Sequence, residues 1–293
     1  MELLISTLEQ GLIYGILGLG VYITYKILDF PDLTADGSFP LGAAVTAAII
    51  ANGGSPILAM VASIALGALA GLITGIIHVK CRVRDLLSGI ITMTALYSIN
   101  LRIAGMSNVP LFGKVTLFKN PLVEGTLTGA LEPFSAVIVV LIVVIVFKVL
   151  MDLFLKTKAG YLLRAVGDND TVVTSLAKDK GSVKIMGLVI ANALVALSGC
   201  ILCQQQRFFE IQMGTGAIVI GLAAVIIGTN LFKKMTFVKA TTSVIIGSII
   251  YKGCVAAAIQ MGLDAGDMRL ITAVLFLAIL VAGNLFDRKG DAA

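Results

Sequence analysis

The chain has 293 residues, of which 58% are hydrophobic and 13% charged, and its mean hydropathy is +1.02. A soluble domain carries about 25% charged residues, so this composition excludes a soluble globular chain and points to a polytopic membrane protein. The net charge of +5 sits mostly in the gaps between apolar runs, which is the pattern of basic cytoplasmic loops and not of a nucleic-acid surface.

The first apolar run, Leu3 to Leu28, begins at once, contains Glu9 and is too long for a signal-peptide core. It reads as a retained spanning helix, with Gly11, Gly15 and Gly18 as a close-packing stripe. An acidic, proline-broken stretch follows, from Asp29 through Pro31, Asp32, Thr34, Asp36 and Ser38 to Pro40. Pro31 interrupts any helix there, and Asp36 or Ser38 is placed to cap a short alanine-rich helix running to Ala51 with Pro40 in its first turn. Ile57 to Val79 is a clear span with Gly67, Gly71 and Gly75 at helical spacing, the kind of ladder that lets helices approach closely in lipid. Lys80, Arg82 and Arg84 mark a cytoplasmic loop, and Leu86 to Ile103 spans outward with Asn100 and Arg102 near its far end.

Gly105 to Glu132 is turn-rich and expected outside. Pro133 to Leu155 is a lipid-facing span. Residues 156–184 form the longest polar stretch, expected in the cytoplasm and partly an amphipathic helix: Gly160 permits a turn, Arg164 and Asp168 offer polar contacts, and Leu162, Leu163 and Val166 an apolar face. Ile185 to Cys203 spans, and Gln204 to Glu210 makes a polar outer edge. Met213 to Leu231 is apolar but glycine-rich and reads as broken or re-entrant. Lys233, Lys234 and Lys239 lie inside, Phe237 to Met261 spans with Lys252 within it, Asp264 and Asp267 lie outside, and Leu270 to Phe286 returns to Arg288 and Lys289 inside. The reading is all-α, one domain over 1–293, with roughly eight to nine transmembrane or re-entrant segments and a cytoplasmic C-terminus.

Asp29, Asp32 and Asp36 carry the sharpest signal. Each aspartate at the bilayer centre costs roughly 2.5–3.5 kcal/mol on insertion scales, so the segment either lies outside the hydrocarbon as a solvated loop or lines a wet cavity within the bundle. On the second reading Asp29, Asp32, Thr34, Asp36, Ser38 and Asn100 line a substrate pathway. Lys252 lies too deep to snorkel easily and is expected to face the interior, pairing with Glu9 or with a substrate carboxylate. A lysine near a kinked helix end is the plainer alternative. Cys200 and Cys203 form a C-x-x-C without a second ligand pair, and the single histidine is His78, so packing explains them better than a metal. The chain holds no G-x-x-x-x-G-K-[ST] to bind ATP and no catalytic motif.

Gly11-Leu-Ile-Tyr-Gly15 through Gly37-Ser-Phe-Pro-Leu-Gly42, Lys158-Ala-Gly-Tyr-Leu-Leu-Arg164-Ala165, Ser198-Gly199 and Gly221 to Gly228, in that order and spacing, resemble the bacterial ABC importer permeases of the branched-chain amino-acid and ribose type. Gly228-Thr-Asn-Leu-Phe232 departs from the Gly-Gly-x-Gly-Ser turn of many relatives. Together with the acidic stretch it is more similar to a Gram-positive subgroup that includes tryptophan and tyrosine uptake permeases. The resemblance implies a permease dimer or heterodimer in the bacterial cytoplasmic membrane, two ABC ATPase subunits beneath it that bind ATP and Mg, and an extracellular substrate-binding protein above. It implies no cofactor in this chain and no nucleic-acid partner. It further implies that Gly160, Arg164, Gly167, Asp168 and Asn169 couple to the ATPase and that the substrate is an amino acid, with a nucleoside or sugar as the alternative. From the residues alone, an autonomous ion- or proton-coupled carrier is the rival.

Overall fold

The structure is a computed structural model that describes residues 2–126, 129–168, 179–233, 235, 237–261, 270, 272–274, 276–278 and 281. Its helices are α1 (Glu2–Val21), running directly into π-helical Tyr22–Ile27, then α2 (Ala35–Ala51), α3 (Pro56–Val79), α4 (Asp85–Ala104), α5 (Pro121–Thr126), a 3-10 turn (Gly129–Phe134), α6 (Ser135–Leu155), α7 (Lys158–Asp168), α8 (Lys180–Gln206), α9 (Ala217–Leu231) and α10 (Ala240–Gln260). Among the described residues six helical stretches are long and apolar enough to cross a membrane: Leu3–Ile27, Pro56–Val79, Asp85–Ala104, Glu132–Leu155, Lys180–Gln206 and Ala240–Gln260. The chain is an all-α polytopic membrane protein. Helices dominate because hydrocarbon offers no water to satisfy backbone N–H and C=O groups. α2 and α9 are apolar but shorter.

Helix α8 is the hub, packed by α1, α2 and α3, while α1 also lies against α9 and α10. Small residues permit this. A Cβ on Gly42 would strike the Ala196 carbonyl and one on Gly199 the Phe39 carbonyl, so α2 and α8 meet backbone to backbone. Gly67, Gly71 and Gly75 of α3 abut Asn192, Leu188 and Ile185 of α8, as their spacing suggests. α6 exposes Ile142, Ile145, Val149 and Leu153 and has the highest hydropathy of the six spans, 3.1, which suits a helix facing lipid.

The basic loop at Lys80–Arg84, helix α7 and the start of α10 gather at one end. Gly181 there meets Val79, and the Lys239 ammonium donates to the Asp152 carboxylate at the foot of α6. At the other end β1 (Asn108–Pro110) pairs antiparallel with β2 (Phe208–Glu210), with Val109 opposite Phe209. This two-stranded ribbon lies in regions read from sequence as turns and a polar edge. Val109, Leu111 and Phe209 are buried, and they form a small apolar cap over the ends of α2 and α8.

Candidate functional site

The π-helical end of α1 loosens the ladder before the break. The Leu28 amide reaches the Ile23 carbonyl at 2.9 Å and the Phe30 amide the Thr24 carbonyl at 2.8 Å. Asp29 then takes a left-handed turn at φ 50° and stays exposed. Beyond Pro31 the chain dives inward: Asp32 is 3% exposed, and Thr34 and Ser38 are fully buried. α2 begins at Ala35, earlier than expected, so neither Asp36 nor Ser38 is its N-cap and Pro40 lies one turn further into the helix.

Three helices converge on this break through one buried polar network. Asp32 Oδ1 accepts the Thr34 amide at 2.9 Å, and Asp32 Oδ2 accepts Asn192 Nδ2 of α8 at 2.7 Å. Asn192 Oδ1 in turn accepts the Ser38 hydroxyl at 2.7 Å. The Thr34 hydroxyl lies 2.8 Å from that of Thr74 on α3. A carboxylate this deep persists because its oxygens are met by hydrogen-bond donors.

Asp36 leaves this network and serves another broken element. Its Oδ2 accepts the Gly216 amide at 3.1 Å and its Oδ1 the Ile218 amide at 2.8 Å, so it caps the N-terminus of α9 from a distance in sequence. Helix starts carry unsatisfied N–H groups and a partial positive charge, and both favour a carboxylate there. The stretch read from the sequence as broken or re-entrant consists of turns over 211–216 followed by this short helix.

Between the start of α2, α4 and the segment before α9 lies a cleft of about 340 Å³. Asp36, Thr94, Tyr97, Asn100, Gln212 and Thr215 supply its polar wall, and Pro40, Met93 and Ile211 its apolar one. Asn100 Nδ2 donates to the Gly37 carbonyl at 3.1 Å, whereas its Oδ1 is buried without a partner. α4 buries Ser88, Gly89, Thr92 and Leu96 and turns Thr94, Tyr97 and Ser98 outward. Its hydropathy of 1.3 is the lowest of the six spans, and its outward surface mixes these polar groups with Leu87, Ile91 and Ile99.

Lys252 is buried at the α1–α10 interface, and its expected pairing with Glu9 does not form. Glu9 Oε2 instead accepts Gln205 Nε2 at 2.8 Å, while Lys252 Nζ sits 3.8 Å from the centre of the Tyr14 ring. Tyr14 stacks on Phe39, the neighbour of Ser38, with centroids 5.8 Å apart, so Lys252 adjoins the network only through two rings.

At the basic end α7 buries Leu163 and Val166 and exposes Arg164. Gly160 packs against the end of α6, and Gly167 presses on the Ile27 carbonyl so closely that no side chain fits. Asp168 closes the helix. Asn169 and the rest of the loop to 178 lie outside the described residues, as do Asp264, Asp267, Arg288, Lys289 and most of the last apolar run. Asp179 caps α8 through the Gly181 and Ser182 amides, and these bonds with the Ser182 hydroxyl hold its carboxyl below the usual range.

The model of the family described as "Branched-chain amino acid transport system / permease component" matches residues 3–282. The chain belongs to this family. The permease is 47% identical over 285 residues to the tyrosine transport system permease protein of Clostridioides difficile, covering 97% of this chain and 92% of that one. It is 24% identical over 282 residues to the ribose import permease protein RbsC of Escherichia coli K12, covering 96% and 85%. Its fold is similar to that of PsaBC from Streptococcus pneumoniae, solved in complex with a Fab, at a TM-score of 0.51 and 13% identity over 94% of this chain and 89% of that one. The permease is thus the transport component of an ABC system and not an enzyme.

Of the residues singled out in its sequence, the permease brings Asp32, Thr34 and Ser38 into one network and Asp36 and Asn100 to one cleft. Asp29 and Lys252 stand apart from both. Sequence reasoning passed over Asn192 and Tyr97 as site residues. An asparagine in the middle of an apolar span was the available signal for Asn192. Tyr97 gave none, because a tyrosine in a span is ordinary.

Proposed function

We propose that this permease is the membrane subunit of an ATP-driven uptake system for an amino acid, with an aromatic one as the first candidate. The 47% identity over nearly the whole chain to a tyrosine transport permease carries the reading. Nine segments enter the bilayer: the six long helices, α2 and α9, and the apolar run from Leu270. The basic end faces the cytoplasm of a bacterial inner membrane, which puts the C-terminus inside and the start of α1 outside. Two ATPase subunits, holding ATP and Mg, engage α7. A substrate-binding protein docks at the ribbon end, and a second copy or a similar chain covers the exposed face of α4.

Contacts along the chain support a mechanism. Motion of α7 bears on Ile27 through Gly167 and on Leu28 through the Leu163 and Leu28 side chains that flank Gly187. That push reaches the break holding Asp32, Thr34 and Ser38. Asp36 links the same break to α9, so the two broken elements move together. Asp32, Thr34, Asp36, Ser38 and Asn100 line or gate the pathway, and α7 carries the stroke.

The test is uptake into proteoliposomes that contain the permease, its ATPase and its binding protein. ATP-dependent accumulation of labelled tyrosine is expected. Uptake by the permease alone, driven by an ion gradient, would overturn the reading in favour of an autonomous carrier.

A further inference from the structure

The cleft beside α4 has a lining of unusual sign. Among the described residues it carries one carboxylate, Asp36, and no Lys, Arg or His. Two of the roughly four acceptor positions on that carboxylate are used by the Gly216 and Ile218 amides. Thr94 gives its hydroxyl proton to the Ile90 carbonyl at 2.8 Å, which leaves its oxygen as an acceptor. Asn100 is fully buried, and its amide orientation is decided by the Gly37 carbonyl, which can only accept. Its Oδ1 is therefore an acceptor with no donor, on a residue that lines the cleft. Buried polar atoms in native structures are almost always paired, and an exception beside a cleft marks where a donor from outside fits.

We propose that Asn100 Oδ1 and the Asp36 carboxylate receive the ammonium group of the transported amino acid, and that the Tyr97 ring flanks its side chain. This rests on the amino-acid uptake reading above. An ammonium brings three donors and a positive charge to a site that offers acceptors and a negative charge. The cleft volume is at the lower end of the roughly 300–1,000 Å³ of small-molecule sites. Among the described residues no cation lines the cleft to meet a carboxylate, so the carboxylate end of the substrate points out of it. Asn100 is thus a specificity residue for the amino group.

The test is binding of labelled L-tyrosine to the purified permease–ATPase complex without its binding protein. Two competitors report on the two ends of the molecule: tyramine keeps the ammonium, and 4-hydroxyphenylpropionate keeps the carboxylate. Tyramine should compete and 4-hydroxyphenylpropionate should not. Asn100→Leu should weaken tyrosine and tyramine by about ten- to a hundredfold, the loss of one charged hydrogen bond. Asn100→Asp keeps a side-chain oxygen acceptor at this position and should recover tyramine binding. A role limited to bonding Gly37 predicts loss in both variants, which would overturn the proposal. Equal competition by the two analogues would also overturn it. Tyrosine uptake that persists in proteoliposomes in that case leaves the uptake reading intact, whereas absence of any amino-acid uptake by the native assembly removes both.

Discussion

Replacing Asn192 by leucine probes the network that joins α8 to the break. The substitution preserves side-chain size but removes the donor to Asp32 and the acceptor for Ser38, both at 2.7 Å. In water-referenced terms the loss of a hydrogen bond to a charge, about 1.5–3 kcal/mol, and one orphaned hydroxyl, about 1–3 kcal/mol, would total about 3–6 kcal/mol. Interhelical polar contacts in a bilayer are worth less, about 0.6 and at most about 1.7 kcal/mol, because the unfolded chain in the membrane also finds partners. Two such contacts give about 1–3 kcal/mol. At about 2–4 °C per kcal/mol for a chain of this size, the midpoint of thermal unfolding in detergent should fall by about 2–12 °C. The decisive measurement is the double-mutant cycle with Ser38→Ala. Alone, Ser38→Ala orphans Asn192 Oδ1 and should lower the midpoint. In the Asn192→Leu background the Ser38 hydroxyl has already lost its partner, so its removal should cost nothing or recover a few degrees. An equal cost of Ser38→Ala in both backgrounds would refute the network as described.

Asp36→Ala removes the acceptor of the Gly216 and Ile218 amides and should cost about 0.5–2 kcal/mol, the range of a lost helix cap. Asp36→Asn, which keeps one acceptor, should unfold at a midpoint between the variant and the native protein. Gly167→Val cannot keep α7 against the Ile27 carbonyl, so substrate uptake per ATP hydrolysed should drop by about two- to thirtyfold while hydrolysis continues. Lys252→Met removes a membrane-buried charge that costs roughly 2.5–3.5 kcal/mol at the bilayer centre and whose Tyr14 contact returns about 2. The thermal midpoint should therefore rise by a few degrees, and a midpoint that drops would show that the cation is held more strongly than the ring alone allows.

Hydropathy, the basic loops and the prolines of the sequence determined the membrane class, most span boundaries and the position of the break, because these depend on properties that add along the chain. Transfer of an 18-residue apolar window into hydrocarbon is favourable whatever the rest of the protein does. The acidic break was legible for the same reason, as carboxylates cannot be left in lipid without partners. Which partner each polar group takes was decided only by the tertiary structure. Asp32 meets Asn192 across 160 positions, and Asp36 reaches the start of a helix 180 positions away. Lys252 settles over Tyr14 although Glu9 lies on the same helix as that ring. A buried donor takes the acceptor that backbone packing brings within 3 Å, and here the glycine contacts between α2, α3 and α8 set that packing, which no local window of sequence contains.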